Sequence, residues 1–382
     1  MTHYLSADQE YLKETVRKFL SRNLDPYITD YERRGHFPFE IMKDIQPFGM
    51  VGGILDEAHG GMDLSFTEWT LLVEEAGYHW ASLRAAVNNA SGVSLLLREL
   101  GTKSQKQEYL EPVMKCERQG WVGITEPDHG SNVAGIETRA VKQGNSYIIT
   151  GSKVFITFGQ WADFGILVAK TFSDTCDGKL SLFIVDKDSS PYIIEPVETM
   201  ILRSTGTALL SFDNVKVPSS SLLGREGEGL KSILSSLNKG RLNLAAGSVG
   251  YAQAALDKSI EYAKTRKQFN KLIGEFQLIQ DKIVEMQIRT DASRALTYNA
   301  ARALDEGKLS RVECSIAKLY ATRAGFEVAD MAMEVHGGIG YATDMGIERI
   351  FRDSKGAMIP EGTSNIQKLI IGRELLGISA LL

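Results

Sequence analysis

The apolar residues of this chain change their spacing twice, and that switch constrains the fold more than any single motif. Over the first ~115 residues the spacing is helical. Ser6 with Gln9 three residues later reads as a capping box, and Leu12, Val16, Phe19 and Leu20 then recur on one helical face. After the turn-rich Asp56-Glu57-Ala58-His59-Gly60-Gly61, the stretch from Glu74 to Leu100 reads as a second helical region stopped by Gly101. From about Trp121 to about Pro218 the period becomes two. Runs at Ser146–Thr150, Lys153–Thr157, Gly165–Lys170, Leu180–Val185, Tyr192–Pro196 and Ala208–Val217 predict strands. Turn formers Gly144-Asn145, Gly151-Ser152, Ser189-Ser190-Pro191 and Asp213-Asn214 are read as separating them. After Gly227 the helical period returns: Leu242 to Lys264, Phe276 to Leu304, Arg311 to Val335 and Ser364 to Leu376 are long and periodic enough for a bundle.

Strands with no helices between them indicate a β-sandwich or barrel and argue against βαβ units. The chain is therefore read as an α+β multidomain protein: a helical N-terminal domain (1–118), a central β domain (119–226) and a C-terminal helical bundle (227–382). Its 382 residues agree with two or three domains.

Several function classes are disfavoured. A net charge of −5 gives no reason to expect nucleic acid or an anionic membrane as partner. No apolar run approaches the ~18 residues of a spanning helix. The first ten residues are acidic where a signal peptide would be basic and then apolar. Cys116, Cys176 and Cys314 are scattered, which fits a reducing cytoplasm, and the six His lack metal-ligand spacing, so no metal is expected. The chain has no GxGxxG after a strand and no Walker A loop.

One carboxylate stands out. In Met358-Ile359-Pro360-Glu361-Gly362-Thr363-Ser364-Asn365-Ile366-Gln367, Pro360 fixes the backbone before Glu361 and Gly362 frees it after. Ser364 and Gln367 read as a capping box, so Glu361 lies outside the helix on a stiffened loop. A base for a weakly acidic C–H proton needs such rigidity, aim and partial desolvation. A Glu before a helix N-cap also simply favours the positive end of the dipole. His336-Gly337-Gly338-Ile339-Gly340 follows a helix and reads equally as a phosphate-facing loop or a helix C-cap.

Five segments in order resemble the acyl-CoA dehydrogenases over nearly the whole chain. Gly123 to Asn132 (Gly-Ile-Thr-Glu-Pro-Asp-His-Gly-Ser-Asn) resembles the first family signature, with Asn132 where Asp is usual. Gly151 to Thr157 resembles the flavin-stacking strand, with Phe155 where Trp is common. Arg266-Lys267-Gln268-Phe269-Asn270 with Phe276-Gln277 resembles an Arg-x-x-Phe-Gly motif, with Asn270 for Gly. Glu334 to Gly340 and Glu361-Gly362-Thr363-Ser364 resemble the remaining two loops, with Glu334 where Gln is usual and Pro360 where Tyr is frequent.

The resemblance implies a homotetramer with FAD between the β domain and a four-helix bundle. It assigns Thr125, Thr157 and Phe155 to the isoalloxazine ring. Arg266, Phe269, Gln277, Gly337 and Gly338 go to the ADP half across a subunit interface, and Thr363 also goes to the cofactor. Ser131 is placed beside the pantetheine arm and the flavin, and Asn238, Arg241 and Gly362 beside the substrate. Asn238 stands where the family often has Asp. Gly240 occupies the family's alternative base position and cannot act, which leaves Glu361 as the catalytic base, with the β-hydrogen leaving as hydride to flavin N5. Arg84 resembles the Arg with which glutaryl-CoA dehydrogenases hold a distal carboxylate, and a solvated surface Arg is its other reading. Pro360, and Gly77 near that subgroup's acidic position, depart from its pattern.

The expected reaction is α,β-dehydrogenation of a short or functionalised acyl-CoA, with an electron-transfer flavoprotein as acceptor. The alternatives are an acyl or aminoacyl group on a carrier protein, suggested by Asn238, and a flavin-binding protein without turnover, which an intact Glu361 disfavours.

Overall fold

The computed structural model describes residues 5–308 and 311–380. Helices α1 (Ala7–Asn23), α2 (Ile28–Arg34), α3 (Glu40–Ile45), α4 (Phe66–His79) and α5 (Ala81–Leu100) lead, followed by the short α6 (Lys103–Gln105) and α7 (Glu111–Met114). Then come β1 (Gly120–Gly123), β2 (Arg139–Gln143), β3 (Ser146–Ile156), β4 (Phe164–Ser173), β5 (Cys176–Asp186), β6 (Ile193–Pro196), β7 (Ala208–Pro218) and β8 (Leu222–Leu223). The chain continues through α8 (Gly229–Thr265), a small ribbon of β9 (Lys267–Gln268) and β10 (Lys271–Leu272), α9 (Gln277–Asp305), α10 (Arg311–His336), α11 (Ile347–Gly356) and α12 (Ser364–Leu376).

The helix–β–helix order is the one expected. The large strands form one sheet in the order β6-β7-β3-β2-β4-β5-β8, with β1 added parallel to β4. β4 is buried on both faces, which is why Gly165–Ala169 reads as a continuous apolar run. Phe164, Ile166 and Val168 pack against Val93 and Leu97 of α5, while Leu167 and Ala169 pack with Trp121, Tyr147 and Phe183.

Four local readings need correction. Gly151-Ser152 and Asp213-Asn214 are not turns between strands. Both lie inside continuous strands and face each other across one irregularity, where the β3–β7 register shifts between Ile149↔Val215 and Gly151↔Phe212. Gly151 has φ +145° and Asn214 φ +51°, so the turn-forming residues mark a bulge. The reading of Glu74–Leu100 as one helical region is split at Trp80, which is extended at φ −161°. Trp80 is held there by stacking on Tyr31 and Phe37 and by donating Nε1 to Glu32 at 2.9 Å. The segment also begins earlier, at a Ser65–Glu68 capping box. The N-cap of α12 is Thr363, not Ser364, and Gln367 turns back towards the loop before it. The helix α11 was not anticipated from periodicity.

A glycine crossing sets the geometry around the cleft. A Cβ on Gly77 of α4 would lie 2.4 Å from the Gly247 carbonyl oxygen of α8, and one on Gly250 would lie 2.2 Å from the Glu74 carbonyl oxygen. Only glycines allow the two helices to meet this closely. Glu74 itself accepts from Lys13 at 3.0 Å and from Arg294 at 3.1 Å, tying α1 and α9 to the same crossing. Burial disfavours its charge, yet Arg294 and Lys13 hold its carboxyl down to about 2.

Candidate active site

The helical parts and the β sheet meet at a cleft with about 190 Å³ of free interior volume. Phe155 and Thr157 come from the end of β3, Gly240 and Asn243 from α8, Arg84 and Asn88 from α5, and Pro360 and Glu361 from the loop before α12. Residues far apart in sequence thus share one cleft.

Glu361 sits at φ +57°, between Pro360 and Gly362 at φ +89°. A left-handed non-glycine residue persists only where its surroundings hold it. Three side chains do so. Arg241 donates Nε to the Glu361 carbonyl at 3.3 Å, and Gln367 donates Nε2 to the carbonyls of Glu361 and Gly362 at 2.9 and 2.8 Å. Lys318, fully buried on α10, donates Nζ to the carbonyls of Met358 at 2.9 Å and Gly362 at 2.8 Å. The Glu361 carboxylate lies over Gly240: a Cβ there would approach its Cδ to 2.4 Å. Gly240 is therefore the seat of the carboxylate, and any side chain would displace it.

The Glu361 carboxylate accepts no hydrogen bond among the described residues: Arg241 donates to the Glu361 carbonyl, Lys318 to those of Met358 and Gly362, and Arg84 to the Tyr251 hydroxyl. Removal from water pushes its carboxyl up to about 7, against the opposing pull of Arg241, Lys318 and Arg84. Burial likewise lowers Lys318 to about 8, with Glu361 raising and Arg241 lowering it. A rigid carboxyl poised near neutrality and open to a cleft is suited to general-base work.

The facing β wall has a different character. Phe155 holds φ +58° with 63% of its surface exposed on the cleft. The hydroxyls of Thr125 and Thr157 have no hydrogen-bond partner among the described residues, and Val154 N–H donates to the Thr125 carbonyl at 2.9 Å, placing the two segments side by side. An exposed ring beside two unpaired hydroxyls fits a flat group with an apolar face and a heteroatom edge, as an isoalloxazine has. Behind this wall Lys153 Nζ donates to Glu126 at 2.8 Å and to the Ile124 carbonyl at 2.9 Å. The Glu126 carboxylate also accepts from the amides of Glu137 and Thr138 at 2.5 and 2.9 Å.

Arg84 is not a solvated surface residue: it is 5% exposed, and its stem lies against Gly247. Its Nε donates to the Tyr251 hydroxyl at 3.0 Å, and it has no carboxylate partner within salt-bridge distance among the described residues. Gly77 near it is closed by the α4–α8 crossing, so no acidic side chain fits there.

Other anticipated residues lie elsewhere. Ser131 is exposed on the loop after β1. Asn238 is not on the cleft wall, and its Oδ1 is buried without a partner among the described residues. Arg266, Phe269 (88% exposed), Gln277, Gly337 and Gly338 form an exposed region that does not line the cleft. Glu334 is engaged by Lys282 at 2.5 Å. Thr363 caps α12. Sequence reasoning passed over Lys318, Asn88 and Asn243. For Lys318 a signal exists: it shares a helical face with the buried Cys314, Ala317 and Ala321, where a charge is out of place.

Comparison with known proteins agrees with this architecture. Sequence models for the N-terminal, middle and C-terminal domains of acyl-CoA dehydrogenase match residues 6–117, 122–215 and 227–376. The glutaryl-CoA dehydrogenase of Desulfococcus multivorans is 34% identical over 99% of each chain. The CarC subunit of the caffeyl-CoA reductase–Etf complex of Acetobacterium woodii is 35% identical over 98% of this chain and 99% of its own. A glutaryl-CoA dehydrogenase from Mycobacterium smegmatis, solved in complex with FADH2, superposes with a TM-score of 0.95 at 28% identity, covering all of this chain and 98% of that one.

Proposed function

Since the chain belongs to the acyl-CoA dehydrogenase family, whose members are FAD-dependent oxidoreductases, we propose that it desaturates a short acyl-CoA whose tail ends in a carboxylate, with Glu361 as the base. The observation that carries this reading is the Glu361 carboxylate seated over Gly240, in the same cleft as Phe155 and Arg84. Thr125, Phe155 and Thr157 hold the flavin ring. FAD, when bound, supplies the hydride acceptor for the substrate β-hydrogen. Glu361 takes the α-proton onto a carboxylate oxygen. Its backbone N–H, which has no acceptor among the described residues, is free to donate to the thioester carbonyl and stabilise negative charge there. Arg241, Lys318 and Gln367 keep the loop in place, and Gly362 allows its turn. The free guanidinium edge of Arg84 forks onto the distal carboxylate.

Arg266, Phe269, Gln277, Gly337 and Gly338 meet a second copy of the chain and hold the ADP half of FAD, in a homotetramer. Ser131, Asn238 and Thr363 stand along the path of the pantetheine arm and cofactor. An electron-transfer flavoprotein takes the electrons, a reading supported by the likeness to a subunit of an Etf complex. A second reading, a thioester on a carrier protein, is favoured by Asn238 in place of an acidic residue.

The test is anaerobic reduction of the bound flavin by a panel of CoA and carrier-protein thioesters. Glutaryl-CoA should reduce it, and Arg84→Ala should lower the kcat/KM ratio of glutaryl-CoA to butyryl-CoA by a hundredfold or more, on the order of a few kcal/mol for an unpaired carboxylate. An unchanged ratio removes the dicarboxylyl reading. Reduction by carrier-bound thioesters alone establishes the second one.

A further inference from the structure

The polar atoms on the wall beyond Glu361 are oriented by a single indole. Trp69 on α4 is buried, and an indole N–H can only donate. It donates to Asn243 Oδ1 at 2.8 Å. That bond fixes which end of the Asn243 amide is which, so Asn243 Nδ2 is the donor to Asn88 Oδ1 at 2.6 Å. Asn88 is thereby turned as well, and its own Nδ2 points away from the relay.

Asn88 lines the cleft one helical turn from Arg84 on α5. Its Nδ2 has no hydrogen-bond partner among the described residues and is not sealed from solvent, and the same holds for both terminal nitrogens of Arg84. Flipping the Asn88 amide would set two N–H2 groups against each other and strand buried donors. Glu361 is the only carboxylate among the cleft-lining residues, and both Asn243 polar atoms are engaged. The free side-chain groups of Arg84 and Asn88 are therefore donors, while the same cleft is also lined by the Asn89 amide oxygen and the Ser236 hydroxyl, which accept no hydrogen bond among the described residues.

We propose that Asn88 is a specificity-determining residue that joins Arg84 as a pair of donors for an acyl tail tipped with an acceptor, a carboxylate above all, and that Trp69 and Asn243 are positioning residues that set the Asn88 amide. This rests on the cleft being a thioester dehydrogenase site. A tail without an acceptor leaves the Asn88 donors desolvated and unpaired, which is how a polar site rejects an apolar analogue.

The experiment compares kcat/KM for glutaryl-CoA and valeryl-CoA, which have equal carbon counts, in the FAD-loaded protein. Asn88→Ala should lower the glutaryl-to-valeryl ratio about 10- to 100-fold, the range of a hydrogen bond to a charged group, part of it through faster turnover of valeryl-CoA once the unpaired donors are gone. Asn88→Asp keeps the shape and the bond from Asn243, yet turns an acceptor towards the tail, and should lower the ratio further. Trp69→Phe should lower it less, and the Trp69→Phe/Asn88→Ala double variant should fall no further than Asn88→Ala alone. A wild type that oxidises glutaryl-CoA with a ratio unmoved by both Asn88 variants overturns the proposal. So does a wild type that oxidises valeryl-CoA and ignores glutaryl-CoA. A wild type whose flavin is reduced by neither thioester overturns the dehydrogenase reading instead.

Discussion

Two carboxylates drawn out of bulk water, one buried and one half-buried at the cleft, each have a lysine nearby and end in opposite states. Glu126 lies behind the β wall and receives Lys153 and two backbone amides directly on its oxygens. Burial alone would raise its carboxyl, but those donors outweigh it and hold it below the usual range. Glu361 also lies near Lys318 and Arg241, yet their N–H groups go to loop carbonyls and none reaches its carboxylate oxygens. Its carboxyl rises to about 7. Proximity to a cation does not decide the protonation of a carboxylate; the destination of the cation's hydrogen bonds does. The first arrangement makes a structural clasp, and the second makes a stiff loop with a basic tip.

The largest expected effect falls on the tip. Glu361→Gln keeps the shape and loses the basicity, so stopped-flow flavin reduction should slow by about 10²- to 10⁴-fold or more, with FAD and thioester binding retained. Reduction within a few-fold of wild type would mean that another base acts. On the clasp, Lys153→Met leaves Glu126 buried without its cation. Urea unfolding should show a loss of about 3–5 kcal/mol, because breaking one side of a buried pair strands the other. An unaltered midpoint would show that the two amides suffice.

Lys318→Met probes the loop. It releases the carbonyls of Met358 and Gly362 and removes a cation that favours ionised Glu361. The rate of reduction should fall roughly tenfold, about 1.4 kcal/mol, and its pH midpoint should move upward from that of the wild type, because Lys318 lowers the Glu361 carboxyl. A slower rate at an unmoved midpoint would assign Lys318 a purely geometric role.

A separate effect is on stability against pH, where the two carboxylates carry opposite signs. Glu361 is raised to about 7 from an unfolded value of about 4.3, so between those values the native state holds a proton that the unfolded chain has released. Its contribution is present below about 4.3 and is lost as pH rises through about 7. Glu126 is lowered, so its contribution is present above about 4.3 and is lost as pH falls below that. Chemical denaturation of Glu361→Gln across pH 5 to 8 should show a flatter profile than wild type, and an equally sloped one would place the charge-state change elsewhere.

Much of the fold is legible locally. The capping box at Ser6 and Gln9, the long periods of α8, α9 and α10, and the alternating strands each carry their own signal. The failures are also local. Gly151 and Asn214 have turn chemistry because a bulge needs the same backbone angles as a turn, and only strand pairing tells the two apart. Trp80 breaks a helix through its contacts with Tyr31 and Phe37, which no nearby residue announces. In the site, Glu361 could be singled out because Pro360 and Gly362 flank it in sequence.

The sequence by itself determined the order of helix, sheet and helix, and the presence of one carboxylate on a stiffened loop, because period, capping and backbone freedom are properties of neighbouring residues. Only the tertiary structure decided that Gly240 seats that carboxylate, that Lys318 holds its loop, and that Trp69 orients Asn243 and Asn88 beside Arg84. Desolvation and the pairing of polar atoms depend on which helices cross. Here they cross where Gly77, Gly247 and Gly250 let two backbones touch, and no local spacing encodes that meeting.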